Sequence, residues 1–509
     1  MSNSTTLLDT ISSTQANKEI TANGLFDAVS PASLWGRRGP TTGGLTWGYY
    51  GGNFVDSTGT SHAIANGTLT LTASTTNYIY ADNITGAVSI NTTGFPTGKV
   101  PLYSVVTGTS TATSYLDYRS YQPSATGSGG VASNVTITSG SIGNASIVTP
   151  TMLSKWKAAK ARVRSGVGTG RVLCVGDSIT AGYGSQATGK NALCYPRQLA
   201  SMLSAVGITA VSNAFIGYGP NGAVNTGTTP NLDLRISLGS WTEFTSVTGV
   251  GGYFFSATSS SNGTLSFTPT VNCDTFVIYW AGSSGNGSFS ANISGGTPTT
   301  VSTNTGSGVL SKTTITGTLG ANVLNLSWSS GGAVYIAGVE GYDSTKPSVS
   351  IINAGWSGSA TSDWNNTSGG ATYSPLYGPG VIAPDLIVVC LGINDWDLGT
   401  LSAFQTNLTA IVTQYKTYAD VLLMSPVPTN PGQSVPGGTT PSTATQAGFV
   451  SALWSIANSA GVPVVDIFNR WQSFSAQNAN SMYYDTVTHP DATGYADVAG
   501  ALASYLEVA

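Results

Sequence analysis

The run RVLCVGDSITAGYG, Arg171 to Gly184, decides the fold. Its first residues, Arg171 to Val175, are apolar and β-branched, the pattern of a short parallel strand buried on both faces. Gly176-Asp177-Ser178 then turns the chain sharply towards a helix. A serine at such a turn is pushed out at the carboxyl edge of the sheet, where open α/β folds bind ligands. Ser178 is therefore the candidate nucleophile. A lone Gly-Asp-Ser is more often an ordinary turn whose aspartate caps a helix, so its partners must come from the rest of the chain.

Outward from this stretch, strand-like runs recur at Ile208–Phe215, Val349–Asn353, Leu386–Leu391, Val421–Met424 and Pro463–Ile467. Helical patterns lie between and around them. Thr149-Pro150 starts a helix over Thr151–Arg164 that Gly166 stops, and a second runs from Tyr195 to Val206. Phe404, Leu408, Ile411 and Tyr415 mark another, as do Phe449, Leu453 and Ile456 with Gly461 as C-cap, and Ala492–Leu506 closes the series. Strands alternating with amphipathic helices predict a doubly wound, flavodoxin-like α/β parallel sheet. The alternation is interrupted from Trp241 to Asp343, where GGYFFSAT, GTLSFTPT, DTFVIYWAG, GSFSANI, KTTITG, NVLNLSW and AVYIAGVEGY read as short strands. They predict an inserted, jelly-roll-like β-sandwich. Its aromatics Trp241, Tyr253, Tyr279, Trp280 and Trp328 suit either carbohydrate binding or, the commoner case, a sandwich core.

Ahead of this domain, residues 1–35 hold an imperfect apolar stripe (Leu7, Leu8, Ile11, Ile20, Leu25, Phe26) that predicts a helix over about Thr6–Val29. Such a segment packs against copies of itself or a partner. Residues 36–121 read as a small all-β module and 122–148 as a Gly/Ser-rich linker. The resulting division is 1–35, 36–121, 122–148, an α/β domain over 149–240 and 344–509 that carries Ser178, and the insert 241–343.

Composition narrows the function. The chain has 509 residues, 64 of them glycine, 8% charged and 40% hydrophobic, with a net charge of −4. That balance disfavours a nucleic-acid or anionic-membrane partner. The basic cluster Lys155 to Arg164 falls on a helix and reads as its solvated face. No run is long enough to span a bilayer, and MSNSTTLLDTISSTQ lacks the regions of a signal peptide, so export by the general secretory route is not expected. The four cysteines lie far apart, and Cys174 and Cys390 sit in core strands. No Cys/His spacing indicates a metal, and neither metal nor cofactor is expected.

Acyl transfer by serine needs a base, an orienting carboxylate and donors for the oxyanion. The chain has two histidines. His62 lies in the N-terminal β-module, which leaves His489, in YYDTVTHPDATGY just before the last helix, to serve Ser178. Asp485 lies upstream of it as the candidate orienting carboxylate, its other role being a loop cap. LGIND brings Asn394 to the carboxyl end of one strand, and NAGWSG brings Gly358 to the end of another. Tyr183, Trp356, Trp364 and Trp396 beside these motifs either shape a pocket for a sugar ring or pack in the core.

In their order and placement, GDSIT, NAGWSG, GIND and the His489-Pro490 segment resemble the blocks of the SGNH, or GDSL-type, hydrolases. The resemblance implies an oxyanion hole made by the backbone N–H groups of Ser178 and Gly358 and the amide of Asn394. It departs in two places. The family usually carries its aspartate three residues before the histidine, where this chain has Thr486, with Asp485 one residue further away. SNAFIGYG, Ser212 to Gly219, also resembles the second block; were it the true one, Gly217 would replace Gly358.

The segments STQANKEITANGLFDAVSPASLWGRR and TWGYYGGNFVDSTG, with GTLTLTASTTNYIYAD, PLYSVVTG and YLDYR, resemble N-terminal regions of bacteriophage tail-fibre and tail-associated proteins. That resemblance implies a virion location at the tail, partners among tail or baseplate proteins, and a homotrimer. Combined, the readings give a tail-borne serine esterase that deacetylates O-acetylated host surface polysaccharide (capsule or O-antigen) at the bacterial surface, without nucleic acid or membrane insertion. The alternatives are a catalytically inactive receptor-binding adhesin, which the displaced aspartate favours, and a lipase or thioesterase.

Overall fold

The computed structural model describes residues 34–56, 59–119, 152–186, 191–218, 233–431 and 440–509, together with residues 14 and 16. The helix expected near Thr6–Val29 and the linker 122–148 lie outside the described residues. The chain divides into two compact units, Met1–Thr136 and Ile137–Ala509.

The first unit is all β. Strands β1 (Thr46–Tyr49), β2 (Gly52–Val55), β3 (Ser61–Ile64) and β4 (Gly67–Thr70) form the pairs β1·β4 and β2·β3. Strands β5 (Thr76–Ala81), β6 (Val88–Asn91), β7 (Val100–Thr107) and β8 (Ala112–Asp117) form a four-stranded antiparallel sheet in the order β6-β5-β7-β8. Along β5, Asn77, Ile79 and Ala81 alternate inward, the period-2 pattern of a strand with one buried face. Ile79 and Ala81 meet Trp35, Trp47, Leu102, Tyr103 and Val105 in a core of their own. His62 pairs with Asp56 at 2.9 Å inside this unit.

The second unit is built on β9 (Gly170–Gly176), followed by α1 (Ser178–Ala181), α2 (Tyr195–Ala205) and β10 (Ala210–Ile216). Then come the strands β11 (Ile236–Ser237), β12 (Thr242–Gly249), β13 (Gly252–Ala257), β14 (Thr264–Phe267), β15 (Cys273–Gly282), β16 (Ser288–Ile293), β17 (Thr299–Ser302), β18 (Val309–Gly320), β19 (Leu324–Ser330) and β20 (Val334–Tyr342). Strands β21 (Val349–Gly355), β22 (Leu386–Cys390), β23 (Asp420–Met424) and β24 (Val464–Val465) complete the sheet. The order β21-β9-β22-β23-β24 is parallel throughout, and it is the flavodoxin-like order 2-1-3-4-5 if these strands are counted by themselves. Every residue of β21 and β22 is buried, as expected of strands covered on both faces.

Strand β10 pairs in parallel with the outer edge of β21 and then antiparallel with β20, through Ala214↔Glu340, Phe215↔Val339 and Ile216↔Gly338. Here the structure differs from the expectation of a self-contained inserted sandwich. One layer of the insert (β12, β13, β15, β18 and β20) continues the α/β sheet, giving eleven strands in all. Only the layer β11-β14-β19-β16-β17 is a sheet of its own. The shared layer is packed on both sides: Phe276, Ile278 and Ile336 face the second layer, while Val277, Tyr279 and Ala337 join the main core. This is why DTFVIYWAG reads as an unbroken apolar run. The insert's Trp241, Tyr279 and Trp280 are buried and Tyr253 and Trp328 half-buried, so the aromatics mostly fill cores. The weld carries an ion pair: Arg171 of β9 donates from Nε to both oxygens of buried Glu340 of β20, at 3.1 and 3.0 Å, and the Tyr279 hydroxyl donates to the same carboxylate at 3.2 Å.

The helix before β9 spans Ser154–Arg164, and its basic cluster is not wholly solvated. Lys160 is buried, and its Nζ donates to the carbonyls of Leu506, Glu507 and Ala509 at the end of the C-terminal helix Ala492–Val508. A cation at a helix C-terminus meets unpaired carbonyls and the negative end of the dipole, which makes burial of this lysine tolerable.

Candidate active site

Asp177 opens α1: its Oδ1 accepts the Ile179 N–H at 2.9 Å, so the chain turns where Gly-Asp-Ser predicts and Ser178 takes the first helical position. Neighbouring strand ends are drawn tightly around it. The Trp356 N–H donates to the Gly176 carbonyl at 2.8 Å, and a Cβ on Gly355 would stand 2.0 Å from the Ala181 nitrogen. Only glycine lets β21 come that close to α1.

His489 reaches Ser178 from the loop ahead of the last helix, with Nε2 2.9 Å from Ser178 Oγ. Its Nδ1 lies 2.5 Å from Asp485 Oδ2. The displaced aspartate thus meets the imidazole, and the loop shows how. Asp485 Oδ1 accepts the backbone N–H groups of Val487, Thr488 and His489 at 3.0, 2.7 and 3.0 Å, folding residues 485–489 around the carboxylate. The Tyr484 N–H donates to the His489 carbonyl at 2.8 Å and closes the loop from outside. Burial alone would raise the Asp485 pKa, but the imidazole and these N–H groups outweigh it and hold the carboxyl at about 2.

Asn394 opens towards the site from the helix Ile393–Leu398 after β22, and its Nδ2 donates to the Ser359 carbonyl at 2.8 Å. One amide proton is thus used to hold the side chain beside Gly358, and among the described residues the other has no acceptor. Among the described residues, neither the Ser178 N–H nor the Gly358 N–H has an acceptor. Gly217 does not compete for this place: its N–H is consumed by the Ala337 carbonyl at 2.6 Å, and β10 lies one strand further out than β21.

Of the aromatics expected to line a pocket, Tyr183 stands edge-on to the His489 ring with centroids 4.7 Å apart, and edge-on to Tyr484 at 5.9 Å. Trp396 belongs elsewhere. It is 2% exposed and packs between Phe449 and Phe468, because its helix turns that face onto the core. Trp356 and Trp364 are also buried, stacked edge-on to each other at 6.2 Å. The Trp364 indole donates to Ser359 Oγ, next to Gly358, at 2.9 Å.

Residues 332–496 match the model of the GDSL-like lipase/acylhydrolase family, a stretch that holds Gly358, Asn394, Asp485 and His489. The fold is similar to that of a peptidoglycan O-acetylesterase, at TM-score 0.53 and 16% identity over 70% of this chain and 95% of that one. The second unit carries a GDSL/SGNH acylhydrolase domain. The protein is a serine ester hydrolase. Weaker likenesses, to a lipase/acylhydrolase from Enterococcus faecalis (TM-score 0.27, 19% identity, 32% of this chain and 77% of that one) and a family two carbohydrate esterase from Cellvibrio japonicus (0.24, 13%, 54% and 95%), add nothing to the fold assignment. No curated protein sequence matches the chain. Ser178 falls ahead of the matched residues because β10 to β20 separate its strand from β21 in sequence, though β9 and β21 are neighbours in the sheet.

Two acids within the motifs gain a part in the site that the sequence did not show: Asp395, left without a role, and Asp177, read only as a helix-capping turn residue. Asp395, next to Asn394, accepts from both the N–H and the hydroxyl of Thr361, tying the two motif loops together. Burial, with Asp363 nearby, pushes its carboxyl up to about 6. Asp177 is fully buried, its Oδ2 has no partner among the described residues, and burial pushes its carboxyl up to about 7, with Asp395 adding to the shift. Both acids were visible in GDS and GIND; only their burial was hidden. Among the described residues, no cluster of His, Cys, Asp or Glu could hold a metal ion, and no helix is long and apolar enough to cross a membrane.

Proposed function

We propose that the acylhydrolase domain removes O-acetyl groups from a host surface polysaccharide, with Ser178 as nucleophile, His489 as general base and Asp485 as the carboxylate that fixes the imidazole tautomer. The observation that carries this reading is the continuous chain Asp485–His489–Ser178, at 2.5 and 2.9 Å. Ser178 Oγ attacks the acetyl carbonyl as its proton passes to His489 Nε2. The oxyanion is met by the N–H groups of Ser178 and Gly358 and by the free amide proton of Asn394. The intermediate collapses as His489 returns the proton to the departing sugar hydroxyl, leaving an acetyl ester on Ser178. Water, deprotonated by His489, then releases acetate and restores the serine.

The sugar must leave past the imidazole that protonates it, and there stand Tyr183 and Tyr484, the latter 37% exposed. Gly184 makes room for this ring, since a Cβ there would lie 2.8 Å from it. Two aromatic rings set edge-to-face beside the leaving group, Tyr484 partly exposed, suit the CH face of a pyranose better than an acyl chain, which favours a glycan ester over a lipid. The adhesin reading drew its support from the displaced aspartate, and the Asp485–His489 contact removes that support. The likeness of segments between Ser13 and Arg119 to tail-fibre proteins supports a place on a phage tail, as a homotrimer held by tail or baseplate proteins.

Acetate release from O-acetylated capsule or O-antigen tests the proposal. Wild type should release acetate and Ser178→Ala should not, while Tyr484→Ala should raise KM about fivefold on the glycan and leave an aryl acetate unaffected. Hydrolysis of aryl acetates with no acetate from any acetylated glycan would refute the substrate and leave the esterase intact.

A further inference from the structure

The N-terminal unit contains a cup of about 340 Å³ that plays no part in the ester chemistry, lined by Arg37, Tyr50, Tyr103, Tyr115, Asp117 and Arg119. Its volume lies in the range of small-molecule sites, about 300–1,000 Å³. It forms where β7 meets the edge strand β8. Tyr103 faces Asp117 across the two strands, and Tyr115, two residues along β8, shares the face with Asp117.

The two arginines are held differently. Arg119 is used up within the protein: it grips Asp117 through Nε at 3.1 Å and Nη2 at 2.8 Å, and its guanidinium lies 5.2 Å from the Tyr103 ring centre. Arg37 is fixed by its backbone, whose N–H donates to the Tyr103 hydroxyl at 3.0 Å, and by two rings, with its guanidinium 5.6 Å from Trp47 and 5.4 Å from Tyr115. Among the described residues no carboxylate or carbonyl accepts from that guanidinium. The cup therefore holds two guanidinium groups against one carboxylate, in a chain whose net charge is −4. Its rings are packed against one another, Trp47–Tyr115 at 5.3 Å and Tyr103–Tyr115 at 6.1 Å, while Tyr50 and Tyr115 remain 40% and 48% exposed.

We propose that this cup binds a carboxylated pyranose, a uronate unit of an acidic polysaccharide. The sugar carboxylate would sit on the Arg37 guanidinium, which presents a planar fork of donors already oriented by stacking. The CH face of the ring would lie on Tyr115 and Tyr50, and its hydroxyls would meet the Asp117–Arg119 pair, which offers both acceptors and donors. A simple aliphatic carboxylate would satisfy Arg37 but leave the flat rings and the Asp117 edge unused. The site is independent of Ser178 and does not rest on the esterase reading.

Saturation-transfer NMR on the full chain tests it, with methyl glucuronide and methyl galacturonide as probes and the matching neutral methyl glycosides as controls. At least one uronide should bind saturably, more tightly than its neutral counterpart. Arg37→Ala and Tyr115→Ala should each weaken it by about tenfold, with unchanged circular-dichroism melts showing that these exposed residues do not disturb folding. No binding by either uronide, equal binding by the neutral glycosides, or affinity unaffected by both variants would overturn the proposal.

Discussion

The acylhydrolase domain holds the same residue type in two opposite environments. At the rim, Asp485 accepts three backbone N–H groups and faces an imidazole, and its carboxyl stays ionised down to about pH 2. On the floor, Asp177 and Asp395 lie buried near each other, with carboxyls pushed up to about 7 and 6. The rim carboxylate is surrounded by donors and made for charge. The floor carboxyls cap α1 and tie Thr361, and water is excluded from around them. The lesson is that carboxylates within one site divide into a charged group that meets the histidine and buried groups that hold the loops carrying the proposed oxyanion donors.

The sharpest way to break this comparison is Asp485→Asn. The amide oxygen can keep the three N–H contacts and hence the loop, but its NH2 would face His489 Nδ1 and impose the wrong tautomer. We expect kcat to fall by about 10⁴ with little change in melting temperature. A loss of less than about tenfold would mean that the rim carboxylate does not orient the base. Next in size is Asn394→Ala, which removes a proposed oxyanion donor and should cost about 100 to 1,000-fold in kcat with KM nearly constant. An unchanged kcat would take Asn394 out of the oxyanion hole.

The smallest effect on turnover belongs to the floor. The folded state holds the Asp177 proton up to about pH 7, whereas the unfolded chain releases it near 3.8, the ordinary value of an aspartate. The folded state therefore binds more protons in that window, and its stability falls as pH rises from about 4 to 7. Asp177→Asn, neutral at every pH, should lose this slope, gaining on wild type across the window by an amount on the order of a few kcal/mol. Activity should change by less than about tenfold. Parallel melting curves for the two proteins between pH 4 and 7 would contradict a buried, protonated Asp177.

The sequence disclosed the parallel strands, their helices and the site motifs because buried parallel strands and Gly/Asn turns leave strong local patterns. Val349–Asn353 and Leu386–Leu391 were readable in this way, and Ser178, His489 and Asn394 with them. What it hid depends on pairing between distant strands. Nothing local in AVYIAGVEGY says that β20 joins β10 rather than closing a separate sandwich, since β-strand alternation is blind to the partner. Trp396, which adjoins Asn394, could be read as a pocket wall or as core; helical geometry turns successive residues to different faces and sends it to the core. Asp485 looked misplaced by one residue; three N–H bonds to one carboxylate oxygen shape the loop that absorbs the difference. Tyr484 was passed over because its position beside His489 exists only once that loop has closed.

The central claim, that Ser178 is the nucleophile activated through His489 and Asp485, is tested most directly by labelling with a fluorophosphonate and mapping the modified peptide. The account predicts one label, on Ser178, formed rapidly in the wild type, slowed by about 10⁴ in Asp485→Asn and absent in Ser178→Ala. A label on another residue, or full ester hydrolysis by Ser178→Ala, would contradict it.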